Sequence, residues 1–118
     1  MSKSYIFKRM GNTPIDATQI TVQDGDNSYP LEHMVKHSPD GMNWGYGGSG
    51  PSDTALSVLT DASDAKIAFT YYQKFKREFI VNMPIYGGSI TIEAIQDWIK
   101  QQARMTQYII KNLRENLL

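Results

Sequence analysis

The sequence predicts an α+β protein in which a small N-terminal antiparallel sheet is covered by two or three C-terminal helices. Three observations predict it. Short β-rich runs separated by turn-forming residues fill residues 1–50, helical periodicity fills residues 51–118, and the last helix is long and amphipathic. The chain has 118 residues, of which 41% are apolar and 20% charged, as in an ordinary globular domain. We therefore expect residues 1–118 to form a single domain.

The first half of the sequence, residues 1–50, predicts four short strands. Residues 4–9 and 20–22 are rich in aromatic and β-branched side chains, and the Asp-Gly-Asp-Asn sequence at 24–27 is a strong turn signal. Residues 29–35 are predicted to form a third strand. Residues 42–46 provide a fourth, which runs into a segment with five glycines at positions 41–50, here named the glycine-rich loop.

The second half predicts helices with recognisable ends. Pro51 suits the first position of a helix that ends near residues 60–63, and Asp53 suits its first turn. Ser63 or Asp64 can cap the second helix, which the Pro84 and Gly87-Gly88 region ends. Ser89 or Thr91 can cap the third helix. We expect the core to contain Trp44, Leu56, Phe75, Phe79 and Trp98.

The third helix has a basic side and a wide apolar side. At 100° per residue, Arg104 and Lys111 lie within about 40° of Lys100, and the apolar side chains occupy the opposite side. One interpretation is a helix buried on one side and solvated on the other. The other is that part of the apolar side meets a second copy, which predicts a homodimer or a higher homo-oligomer.

Composition excludes several classes of protein. The chain has no cysteine, which removes disulfides, thiolate nucleophiles and cysteine-based zinc sites. Twelve basic residues balance twelve acidic ones, so direct nucleic-acid binding is not expected. Without a long apolar run or a signal-peptide pattern, the sequence predicts a cytoplasmic protein that does not enter the membrane. No nucleophile or general base stands out, so an enzyme acting on a nucleotide is the least favoured class of function, and we expect no cofactor.

The glycine-rich loop and the start of the first helix form the candidate ligand site. Glycines allow close backbone approach, and a helix N-terminus can hold an anion. Trp44 or Tyr46 could stack on a base, and basic residues of the third helix could meet phosphates. The candidate ligand-binding residues are Trp44, Tyr46, Gly47, Gly48, Ser49, Gly50, Ser52, Arg104 and Lys111. The alternative is a tight structural turn that packs Trp44 against the first helix.

Two histidines raise the question of a metal. His33 and His37 are four residues apart, and on a helix they could hold a metal with Glu32 or Asp40. Pro39 and the surrounding β-like sequence oppose a helix there. We expect no metal site.

The segment WGYGGSGPSDTAL, preceded by HSPDGMN, resembles the signature of an uncharacterised family of small phage, bacterial and archaeal proteins. Two later segments, YQKFK at 72–76 and IQDWI at 95–99, match it as well. The resemblance covers about residues 31–100, and the tail beyond Gln101 lies outside it. Met42 stands where the family has an aromatic residue. The resemblance implies no catalysis, but an accessory role in phages, such as blocking an antiviral defence in host cytoplasm.

Two functions therefore remain in competition. The first is a non-enzymatic protein that binds a phosphorylated small molecule, a nucleotide or nucleotide-derived signal, and sequesters it from host defence. The alternative is a protein-binding inhibitor of a host defence effector, in which the glycine-rich loop is purely structural.

Overall fold

A computed structural model describes residues 2–117 and contains one four-stranded antiparallel sheet. Its strands are β1 (Lys3–Arg9), β2 (Thr18–Asp24), β3 (Asn27–Pro30) and β4 (Gly87–Thr91), in the order β3-β2-β1-β4. Tyr5 in the central strand β1 pairs with Val22 on one side and with Ile90 on the other. These three side chains are buried on the same face of the sheet.

The third and fourth strands differ from the sequence prediction. The strand β3 ends at Pro30, so residues 31–35 of the predicted third strand form no strand. Residues 42–46 form no strand, because their backbone groups bind to helices instead of a ladder: the Asn43 N–H donates to Thr54 Oγ1 and the Gly45 N–H to the Ile80 carbonyl. The fourth strand starts at Gly87, within the range predicted to be helical. A Cβ at Gly87 would lie 2.0 Å from the Phe7 carbonyl oxygen, so glycine is needed where β4 meets β1.

Three helices complete the α+β fold: α1 (Ser49–Ala62), α2 (Ala65–Phe75) and α3 (Ile92–Leu117). A π-helical turn at Lys76–Ile80 extends α2. The predicted caps of α2 and α3 are confirmed: Asp64 accepts from the Ile67 N–H at 2.8 Å, and Thr91 Oγ1 from the Ala94 N–H at 3.2 Å. The first helix begins at Ser49, two residues before the predicted start.

Helix α1 lies in the middle of the molecule. Ten consecutive residues, 50–59, are buried, because α2 and the π-helical turn pack on it and the loop that precedes it wraps its start. Of the predicted core residues, Trp44, Leu56, Phe75 and Trp98 are buried, and Phe79 is partly buried against them.

Helix α3 packs on the sheet and the other helices, here together named the body, only over its first half. Ile95, Trp98 and Gln102 are its buried residues. Residues 103–117, here named the C-terminal arm, extend beyond the body as a helix of about 22 Å, within a molecule whose longest dimension is 57 Å. None of the helices in residues 2–117 is both long and apolar enough to cross a membrane.

Candidate functional site

Trp44 anchors the glycine-rich loop from inside the protein. Its side chain is completely buried, with Phe7 edge-on at 5.3 Å and the Arg9 guanidinium 4.7 Å from the ring centroid. Its indole N–H lies 3.1 Å from the carbonyl oxygens of Pro84 and Ile85. No ring face of Trp44 is open to a ligand, so the stacking expected of it is not available in this conformation.

Arg9 joins three loops at the end of the central strand β1. Its Nε donates to the Ile85 carbonyl at 2.8 Å, and Nη1 contacts the carbonyls of Pro14 and Asp16. Nη2 donates to the Asn43 side chain and contacts the Trp44 carbonyl. All five guanidinium N–H groups thus have acceptors. Sequence reasoning missed Arg9, because nothing in the sequence around a single arginine at a strand end indicates this role.

Asp53 holds the segment that precedes the glycine-rich loop. Its buried carboxylate accepts from the backbone N–H groups of Lys36, His37 and Ser38, at 2.8–3.3 Å. Nε2 of His33 lies 2.8 Å away. Burial alone would raise the pKa of Asp53, but these hydrogen bonds outweigh it and lower the pKa. The sequence predicted Asp53 in the first turn of α1, but α1 begins at Ser49 and Asp53 lies beyond that turn. Its carboxylate fixes residues 33–38 against α1.

A second carboxylate fixes the sheet to the end of α1. Asp61 accepts from the hydroxyl groups of Tyr5 and Tyr29 and pairs with Lys3 Nζ at 2.9 Å. Burial opposes its ionisation, but the hydrogen bonds from Tyr5, Lys3 and Tyr29 lower the pKa of Asp61. Asp61 therefore cross-links the sheet and α1.

The glycines of the loop have different surroundings. Gly45 has a φ of +87°, and a Cβ there would lie 2.5 Å from Ile85 Cδ1 and 3.2 Å from the Met83 carbonyl oxygen. A Cβ at Gly50 would lie 3.0 Å from Asn43 Cβ, whereas one at Gly47 would meet nothing within 4 Å. Close packing within the protein therefore accounts for Gly45 and Gly50.

The two candidate serines are placed differently. The Ser52 hydroxyl donates to the Gly48 carbonyl at 3.0 Å and is buried, so it is committed to the first turn of α1. Ser49 is exposed. Only Ser49 of the two has a hydroxyl group that faces solvent.

A cleft of about 700 Å³ runs beside the loop. Tyr46, 37% exposed, lies at its margin, and a recess of about 250 Å³ next to it reaches Ser49 and Gly50. Asp16 and Asp40 line the cleft, but no lysine or arginine does. Hydrogen bonds from the Thr13 backbone and hydroxyl lower the pKa of Asp16, so this carboxylate is negatively charged at neutral pH. That charge opposes a phosphate group.

The basic residues expected at the ligand site lie elsewhere. Arg104 and Lys111 are exposed on the C-terminal arm and do not line the cleft. The histidines also separate: His33 contacts Asp53, and His37 Nε2 lies 2.8 Å from the Tyr72 hydroxyl. Within residues 2–117, no group of three or more His, Cys, Asp or Glu side chains is arranged to hold a metal.

The C-terminal arm is the second candidate surface. Its apolar side chains are about half exposed or more, although the body buries the apolar side of the same helix two turns earlier. The exposed apolar residues are Met105, Tyr108, Ile109, Ile110, Leu113 and Leu117. The periodicity of the sequence identified this face, but only the structure shows that the body does not cover it.

Comparison with known proteins gives one match. The family described as "Family of unknown function (DUF6166)" matches residues 9–101. No curated protein and no solved structure matches the chain. The C-terminal arm lies outside the matched residues.

Proposed function

The chain belongs to this family of unknown function, and we propose that it is a protein-binding module whose binding element is the C-terminal arm. In this proposal the glycine-rich loop is an element of the fold. The proposal is the protein-binding alternative that the sequence left open. A host defence effector as the partner stays a prediction from the resemblance.

The exposure of the arm carries the proposal. Met105, Ile109 and Leu113 are 53%, 51% and 56% exposed, and they lie on one side of the helix. Soluble proteins rarely leave a contiguous apolar stripe uncovered, and such stripes are typical of interaction sites. An amphipathic helix also binds partners by laying its apolar face into a groove or against another helix.

The loop supports the same conclusion. A ligand site needs side chains that face the ligand, but Trp44 and Ser52 are buried and bonded to the protein itself. Arg9, the cation beneath the loop, has no free donor. Because these side chains are buried and hydrogen-bonded within the protein, they favour a role for the loop in positioning α1.

An affinity capture experiment tests the proposal. The full chain and the variant Ile109→Glu/Leu113→Glu are immobilised and exposed to lysate of the source organism, and retained proteins are identified by mass spectrometry. We expect the parent to retain a partner that the variant loses. Lys111→Glu on the opposite side of the arm is the matched control and should retain it. The proposal would be contradicted if the retained proteins bind all three chains equally, or if the parent retains no protein.

A small molecule in the cleft is the second candidate function. The observation that favours it is the exposed ring of Tyr46 beside the recess at Ser49 and Gly50, where the N-terminus of α1 lies. A phosphorylated ligand there has to overcome the charges of Asp16 and Asp40. A thermal-shift screen with nucleotides and cyclic nucleotide signals tests it, since a ligand of the native state raises the melting temperature. Ser49→Ala should then weaken binding by about 1–3 kcal/mol.

A further inference from the structure

The apolar stripe of the arm continues the side of α3 that faces the body. On a helical projection with Ile109 at zero, Met105 and Leu113 lie at about −40° and +40°. The buried residues Trp98 and Gln102 lie at about −20° and +20° on the same projection. The stripe of the arm and the core-facing side of α3 therefore form one straight seam.

We propose that the arm's part of this seam pairs with the same part of a second copy, antiparallel, around a two-fold axis at Ile109. The inference rests on the proposed function and names its partner as another copy of this chain. In this register Ile109 of one copy faces Ile109 of the other. Met105 lies in a layer with Leu113 of the second copy, and the layers repeat on both sides of the axis, as in an antiparallel coiled coil.

The position of the body relative to α3 decides whether the two paired helices run parallel or antiparallel. Because Ile95, Trp98 and Gln102 face the body, the body lies on the same side of α3 as the stripe. A parallel pair would force two bodies into the space between the two helices. An antiparallel pair places the bodies at opposite ends, and each arm lies beside the other arm just beyond the body. With the axis at Ile109, Leu117 reaches the level of Gln101 of the second copy, at the edge of its body.

The charges of the arm permit this pairing. Arg104, Lys111, Arg114 and Glu115 all lie about 120° or more from Ile109 around the helix. The pair therefore covers apolar side chains together with the neutral Asn116, which lies at about −20°, and it buries no charge, which would cost free energy. The opposed helix dipoles of an antiparallel pair also attract each other.

Sedimentation velocity of the full chain tests whether the pair forms. We expect a dimer at micromolar concentration and a monomer for Ile109→Glu, with Lys111→Glu still dimeric. Because these side chains are exposed in one copy, all three chains should melt at similar temperatures under conditions where each is monomeric. A parent that stays monomeric at 100-fold higher concentration overturns the inference. So does a monomeric parent that floats with vesicles of anionic lipid, which would make the arm a membrane-surface helix.

Cysteine cross-linking tests the direction, and the chain offers a background without cysteine. Ile109→Cys should form a disulfide-linked dimer. Met105→Cys and Leu113→Cys should each fail alone, since two copies of either residue lie about 12 Å apart along the axis, but should cross-link when mixed. Lys111→Cys is the control and should not cross-link. Efficient linking of Met105→Cys to itself overturns the antiparallel register.

The failure of this inference and of the proposed function can be told apart. A monomeric parent that still captures a partner through Ile109 and Leu113 overturns self-pairing and leaves the protein-binding role intact. A parent that neither dimerises nor captures any protein through the arm overturns both.

Discussion

The carboxylate of Asp53 in α1 lies 2.8 Å from Nε2 of His33, although the two residues are 20 positions apart. The same carboxylate holds three consecutive backbone N–H groups at residues 36–38. Since these groups precede the glycine-rich loop, Asp53 determines where the loop begins relative to α1. Asp53 thus holds the segment before the loop, and the buried Trp44 holds the first part of the loop.

Replacing Asp53 with asparagine should destabilise the fold. An amide has no negative charge and only one acceptor oxygen, so it cannot hold the same set of donors, and we expect a loss of about 3 kcal/mol in the free energy of unfolding. Urea denaturation followed by circular dichroism measures it. Asp40→Asn is the control, because Asp40 is exposed and should change stability by less than about 0.5 kcal/mol. Equal effects at the two positions would contradict the role given to Asp53.

The free energy of unfolding should decrease in acid because of the carboxylates of Asp53 and Asp61. The native protein lowers the pKa of Asp53 and of Asp61 below the ordinary aspartate value of about 3.9. Their contribution is therefore complete above that value and is lost as the pH falls through the lower native pKa. Urea denaturation at pH 7, 5, 4 and 3 should show this decrease, and Asp53→Asn should make the decrease smaller. An unchanged slope in the variant would exclude Asp53 as a source.

The glycines of the loop should respond to substitution according to their surroundings. Gly45→Ala adds a Cβ that meets Ile85 and the Met83 carbonyl, at a φ that favours glycine, so we expect a loss of about 2–3 kcal/mol. Gly47→Ala adds a Cβ in open space and should stay within about 0.5 kcal/mol of the parent. Thermal denaturation of the two variants measures the difference. Equal melting temperatures would show that the loop tolerates a side chain at Gly45.

Arg9→Lys should destabilise the protein although it keeps the charge. Lysine has three donors on a flexible stem and cannot reproduce a planar guanidinium that binds five acceptors, so we expect a loss of about 3 kcal/mol. Arg77→Lys, on the exposed side of the π-helical turn, should change stability little. Guanidinium denaturation of both variants provides the measurement, and a stable Arg9→Lys protein would contradict the role of Arg9 as a junction.

Much of the fold could be predicted from local sequence. The strands at 4–9 and 20–22, the caps at Asp64 and Thr91, and the long amphipathic α3 are confirmed. Each depends on interactions within a few residues, such as a turn sequence, a capping side chain or the period of apolar residues. The apolar side of the arm was visible for the same reason.

The candidate ligand site could not be predicted in this way. Trp44 and Tyr46 are two residues apart with similar aromatic side chains, but one is buried against Phe7 and Arg9 while the other lies at the cleft. The local sequence at Gly87 predicts the end of a helix. In the structure Gly87 is the first residue of β4, because the β1 backbone at Phe7 leaves no room for a Cβ there. The local sequence determined the strands β1 and β2, the caps of α2 and α3 and the amphipathic period of α3. Only the tertiary structure decided which aromatic, carboxylate and guanidinium groups turn inward, because most of their partners lie 15 to 76 residues away along the chain.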